Sequence, residues 1–237
     1  MPIDISKGIT NESWTIVYDD EEILLEIKQP NRPHSLFVKN RKGFQNRHPW
    51  EIFFRLFNEL VWFYDITVKN FNGGSGDYCA NANFLPSEDS YAIKLDRFKQ
   101  QVFDINQHLA LGFFREGVSS GSPYYAFLCY SKIIEIPFKD GKSKGTWIDQ
   151  EIPNLQGDLT VSLRDRRVKA LGGKTLGIWL RDDGRHALSH ANIKKGNTVR
   201  DPNSYQDWND IKWGNEVMHE LAVKAIIEKL GVPERQH

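Results

Sequence analysis

Hydrophobic and polar positions follow two different periods along this chain. Trp14-Thr15-Ile16-Val17-Tyr18 and Ile23-Leu24-Leu25-Glu26-Ile27 are rich in β-branched and aromatic residues. The polar run Asp19-Asp20-Glu21-Glu22 between them reads as a turn, so the pair predicts a hairpin. A third strand is expected over Ser35 to Lys39, after Pro30 and Pro33. At Trp50 the period changes. Trp50, Phe53, Phe54, Phe57, Val61 and Tyr64 recur at helical spacing, which predicts a helix to Tyr64. Ile66 to Phe71 returns to strand composition and runs into Asn72-Gly73-Gly74-Ser75-Gly76. That run is turn chemistry. No Gly-Lys-Ser/Thr follows it, so it gives no P-loop.

From about Tyr91 the pattern is mainly helical. Leu95, Phe98, Val102, Ile105 and Leu109 predict one apolar helix stripe. Ser122-Pro123 has the chemistry of a helix start, with serine as cap and proline at the first position. Tyr124 to Ile136 is apolar almost all round, as suits the middle of a bundle, with Lys132 and Glu135 as exceptions. Lys139 to Asp158 reads as an irregular connection. Leu159 to Leu171 reads as a helix ended by Gly172-Gly173, and a short helix follows around Leu176 to Leu180. Lys194 to Lys212 reads as loop. Asn215 is expected to cap a last helix, with Gly231 and Pro233 ending it. The fold class expected is α+β: a β-rich α+β region over 1–85, then a helical bundle over 86–237.

Bulk composition changes this picture little. The chain has 237 residues, 40% hydrophobic and 26% charged, enough for one large domain or two small ones. The balance of 31 basic and 31 acidic residues argues against a nonspecific nucleic-acid coat but does not exclude a local basic site. From Gly141 to Arg200 there are 12 Lys/Arg against 6 Asp/Glu, a local excess that favours an anionic partner. Cys79 and Cys129 form no Cys-x-x-Cys and imply no disulfide framework. Met1 to Trp14 lacks the apolar core of a signal peptide, and no apolar run is long enough for a bilayer. The expectation is a cytoplasmic protein away from membranes.

The stretch with chemistry is Leu180-Arg181-Asp182-Asp183-Gly184-Arg185-His186-Ala187-Leu188-Ser189-His190-Ala191. Cleaving RNA through its own 2′-hydroxyl needs a proton acceptor, a stabiliser for the charged phosphorus centre, and a proton donor for the leaving oxygen. Histidine titrates near neutrality and serves as acid or base. Arginine stays charged and presents a fork that matches phosphate oxygens. No metal or other cofactor is required. On a regular helix Arg185 and His190 are about 140° apart and share no face, unless the segment begins with a non-helical turn or two copies meet across a dimer. His186 and His190, four apart, do share one.

Arg185-His186-x-x-x-His190 resembles the Arg-[Asn/Asp/His]-x-x-x-His signature of HEPN domains. The resemblance covers the C-terminal half, and its motif lies between two expected helices, as in that family. More loosely, a β-rich front with such a C-terminal part resembles the methylamine utilisation MauJ-type group. The HEPN resemblance implies a helical bundle, a homodimer and a metal-independent endoribonuclease of toxin or antiviral systems, with RNA as substrate and an antitoxin or regulatory protein as a further partner. It implies Arg185 and His190 as catalytic residues, His186 as the residue that orients them, and Glu135 in support. His186 stands where Asn is most frequent, which leaves the role of that position open.

Plainer readings stand beside these. Arg185 and His190 would serve equally to satisfy a packed helix end. His186 and His190 have zinc-ligand spacing, with Asp182 or His219 as a third ligand, but no Glu follows the first histidine and no metal is expected. Arg164, Arg166 and Arg167, with Lys194 further on, are RNA-binding candidates. They equally fit a solvated helix face, interrupted by Asp165. The aromatics between Trp50 and Phe63 suit core packing better than base stacking. The alternative function is a catalytically silent scaffold, RNA- or protein-binding, or an accessory factor of an enzyme complex.

Overall fold

The computed structural model describes residues 3–4, 12–18, 20–27, 34–38, 49–73, 79–86, 92–93, 100–155, 174–189 and 199–234. The fold is α+β. Two compact units are present, one built mainly from Met1–Asp104 and the other from Ile105–Pro233.

In the first unit, β2 (Glu12–Tyr18) and β3 (Glu21–Ile27) form the expected hairpin. Its turn is tighter than the polar run suggested. Tyr18 pairs with Glu21, and Asp20 takes a positive φ of 63°, which aspartate tolerates better than most residues. With β4 (His34–Val38), β5 (Ile66–Gly73) and β6 (Cys79–Pro86) they make an antiparallel five-stranded sheet of order β2-β3-β4-β6-β5. Ile16 and Tyr18 on β2, and Ile23 and Leu25 on β3, are buried at alternate positions, as a sheet with one covered face requires. The helix α1 (Pro49–Tyr64) buries Phe53, Phe57 and Trp62, so these aromatics are core. Glu59 on α1 is also fully buried. It accepts a 2.6 Å hydrogen bond from the Tyr18 hydroxyl and a 3.2 Å bond from the Gln101 amide.

The division between units falls later than the expected 85/86. Ala92–Ile93 (β7) pairs with Ile3–Asp4 (β1), Phe103 stacks on Phe63, and Gln101 binds Glu59. Each contact holds chain beyond residue 86 in the first unit. Of the stretch expected to be helical from Tyr91, 92–93 is strand, 100–104 is not helical, and a helix runs from Ile105; residues 94–99 lie outside the described residues. Val102 and Ile105 of the supposed stripe are 98% and 83% exposed; α2 (Ile105–Ser119) instead buries Ala110, Leu111, Phe114 and Gly117.

The second unit is helical. At its centre is α3 (Pro123–Glu135), which starts as expected: the Ser122 side chain accepts from the Tyr125 amide, and Pro123 is the first residue. It packs against α2 and against α7 (Tyr205–Lys224), burying Phe127, Tyr130, Ile133 and Ile134. Lys132 points outward, its ammonium 5.1 Å from the Phe113 ring centre. Two expectations fail here. Part of the connection after Lys139 is a helix, α4 (Gly141–Glu151), capped by Asp140 on the Ser143 amide, with Trp147 and Ile148 buried. The last helix starts ten residues before Asn215, with Ser204 as its cap on the Asp207 amide. The helix expected over Leu159 to Leu171 lies outside the described residues.

Candidate active site

The motif segment starts as a helix and then widens. Thr175 caps α5 (Leu176–Trp179) by accepting from the Ile178 amide. A π-helical turn, Leu180–His186, follows, and then a short α6 (Ala187–Ser189). The Ala187 amide reaches back five residues to the Asp182 carbonyl, which is the π pattern. Arg185 and His186 therefore lie on a widened turn, where the 100° spacing of a regular helix does not apply. Inserted π turns of this kind are frequent at functional sites.

Three anchors hold the segment. At its start, the Thr175 hydroxyl donates to Asp149 of α4 at 3.2 Å, and a Cβ on Gly177 would collide with the same carboxylate. In its middle, Gly184 lies against Phe127 of α3; a Cβ there would stand 2.6 Å from the ring's Cζ. Gly214 of α7 closes the other side, with a Cβ position 3.1 Å from the same ring and 2.9 Å from Trp179. At its end, Arg200 spans the segment and α7. Its Nε donates to the Asp183 carbonyl at 2.8 Å and its backbone amide donates to the Ala187 carbonyl. Its Nη1 lies 2.6 Å from Asp207 and 3.4 Å from Asp210, and its guanidinium lies over the Trp179 ring.

This scaffold brings Arg185 to Glu135. The Arg185 Nη2 is 3.1 Å from Glu135 Oε1 and donates to Oε2 at 3.4 Å, while Lys144 of α4 reaches the same Oε1 at 2.8 Å. Two cations thus share one carboxylate, leaving an excess positive charge. The side chains of Arg185 and Glu135 keep 34% and 31% exposure, so a solvent-borne anion has access to the pair. His186 follows Arg185 and is exposed. The Arg181 hydrogen bond holds the Asp182 carboxyl below the usual range, against some burial, and the charges of Arg181, His186 and Lys174 add to the lowering. Lys174 and Asp183 pair at 2.7 Å. The Ser189 hydroxyl donates to the Arg185 carbonyl at 2.8 Å, a local bond that helps fix the turn.

Of the residues singled out from sequence, the structure brings together Arg185 and Glu135, and His186 is exposed beside Arg185 in the chain. His190, Arg164, Arg166, Arg167 and Lys194 lie outside the described residues. Among the described residues, no three His, Cys, Asp or Glu side chains cluster as a metal site, and no helix is long and apolar enough to cross a membrane. Sequence reasoning missed Lys144 and Arg200, because their segments read as loop. Each had a legible signal: Asp140 three residues before Ser143, and Ser204 three before Asp207, are helix-cap spacings.

The geometry coincides with a family match. Residues 110–227 match the family model described as Methylamine utilization protein MauJ. The match runs from within α2 to just past α7, taking in all three anchors, Glu135 and Lys144. The MauJ-type resemblance of the helical half is thereby supported. No curated protein and no solved structure matches the chain.

Proposed function

We propose that this chain is a MauJ-type protein whose helical unit is a HEPN-type, metal-independent endoribonuclease. The observation that carries this reading is the half-buried, solvent-accessible Arg185 on a π turn, braced against Glu135 and next to His186. In the proposed reaction the substrate phosphate draws the Arg185 guanidinium into its fork. Glu135 sets the arginine's direction beforehand, so little reorganisation is needed as charge builds on phosphorus. Lys144 compensates Glu135 and keeps the local charge positive. His190 exchanges protons with the attacking 2′-hydroxyl and the leaving 5′-oxygen, and His186 orients it. A homodimer would supply two such motifs to one RNA strand. The family's description, a methylamine utilization protein, favours a second reading, an accessory protein of an enzyme system without cleavage of its own.

The test is cleavage of total RNA in excess chelator, comparing the native chain with Arg185→Ala, His190→Ala and Glu135→Gln. The nuclease reading expects cyclic phosphate ends from the native chain and none from the first two variants. For Glu135→Gln it expects at least a tenfold slower rate with almost unchanged stability, since a pair this exposed contributes at most about 1 kcal/mol. Cleavage that persists in Arg185→Ala overturns the site. An inert native chain that copurifies with an enzyme establishes the accessory reading.

A further inference from the structure

The helix α7 has two faces. Ile211, Gly214, Val217, Met218, Leu221 and Ala222 face the bundle core. Trp208, Lys212, Asn215, Glu216 and His219 recur at helical spacings of three and four and line a cleft instead. The opposite walls come from the end of α2 and the start of α3, including Gly117, Ser120, Ala126 and Tyr130. The cleft encloses about 400 Å³, within the range of small-ligand sites. Gly117 shapes it, because a Cβ there would stand 2.6 Å from the Tyr130 ring.

A wall needed only for packing would be apolar. This one carries an amide, a carboxyl, an amine and aromatic rings. The Asn215 carbonyl oxygen is buried and has no hydrogen-bond partner, so it calls for a donor. Glu216 beside it is a second acceptor. Glu216 is itself exposed, and partial desolvation in the cleft raises its carboxyl above the usual range, with Lys212 opposing and Glu220 adding to the rise. Trp208 is 37% exposed and stacked with the more exposed Tyr205, ring centres 6.3 Å apart. The Lys212 ammonium lies 5.1 Å from the Trp208 ring centre. Together these are an aromatic surface, acceptors for N–H groups and a cation for an anionic tail.

We propose that this cleft binds a nucleobase bearing an exocyclic amino group, stacked on Trp208, with its N–H edge on Asn215 and Glu216 and its phosphate near Lys212. Aromatic stacking and acceptor readout of an amino edge are how proteins hold single-stranded bases. The RNA source of the base rests on the nuclease reading; a free nucleotide does not.

The test is anisotropy of a 5′-labelled single-stranded RNA hexamer, with competition by GMP, AMP, CMP and UMP at fixed salt. The three amino-bearing nucleotides should compete about tenfold better than UMP. Trp208→Ala and Asn215→Leu should each weaken binding at least tenfold, and Asn215→Leu should erase the preference. Asn215→Asp, which keeps the acceptor, should retain it and guards against a folding defect. A hexamer bound at least tenfold tighter than any mononucleotide assigns the base to an RNA strand; a mononucleotide that binds as tightly admits free nucleotide. The proposal is overturned if no nucleotide binds at millimolar concentration, or if all four bind the native chain and Asn215→Leu alike. Loss of cleavage with intact binding would refute the nuclease and leave this site standing.

Discussion

Gly184→Ala is the sharpest probe of how the motif is built. The added methyl would stand 2.6 Å from Phe127 Cζ and 3.0 Å from Cε1, well inside carbon contact distance. Phe127 has no room to yield. It is fully buried, and it packs so close to Gly214 that even a Cβ there would stand 3.1 Å from its ring. Overpacking of this kind costs about 1–3 kcal/mol. Alanine's better helix propensity offsets up to about 1 kcal/mol, so the net loss should be roughly 1–2 kcal/mol. For the 105–233 unit, with an unfolding entropy of about 2.1 cal/mol/K per residue, that lowers Tm by roughly 4–7 °C. Thermal unfolding followed by near-ultraviolet circular dichroism reads it directly. Phe127→Leu in the same chain should recover part of the loss, giving a favourable coupling of about 0.5 kcal/mol or more in a double-mutant cycle. Under the proposed nuclease function, cleavage should fall in the single variant as well, because displacing the π turn carries Arg185 away from Glu135. A Gly184→Ala chain as stable as the native one, with additive behaviour in the cycle, would refute the close docking of the motif on α3.

Tyr18→Phe removes a donor from the buried Glu59 carboxylate and should destabilise the first unit by about 1–3 kcal/mol, read as a lower urea midpoint, with cleavage in chelator unchanged. Arg200→Met leaves Asp207 and Asp210 facing each other without their cation and frees the Asp183 carbonyl; Arg200 is only 8% exposed, so the loss should approach about 3–5 kcal/mol. The Asp207 carboxyl is opposed by burial, yet the Asp201 amide and Arg200 outweigh it and hold its pKa below the usual carboxylate value. A lowered folded-state pKa gives stability that is present above the unfolded pKa of about 3.9 and is lost as pH falls through the folded value. The native helical unit should therefore weaken on acidification below about pH 4, with a shallower acid limb in Arg200→Met.

Much of the architecture is written in local pattern. Alternation fixes β2 and β3, helical spacing fixes α1, and Ser122-Pro123 starts α3 at the right residue, because each signal acts within a few positions of itself. Stripes read without their partners misled: Val102 and Ile105 fit a period but face solvent, and Asn215 resembled a cap but lines a cleft. The Arg185–His186 pair was legible as chemistry, since residue type and spacing are local. Glu135 was named through the HEPN resemblance, as a polar exception on an apolar helix, while its distance to Arg185, fifty residues away, is a property of packing. Sequence alone thus determined the β2–β3 hairpin, α1 and α3, and which side chains carry charge. Only the tertiary structure decided that the motif turn is π, that two glycines let it press on Phe127, and that Lys144 and Arg200 complete it. Those facts depend on contacts between segments far apart in the chain, which no local pattern records.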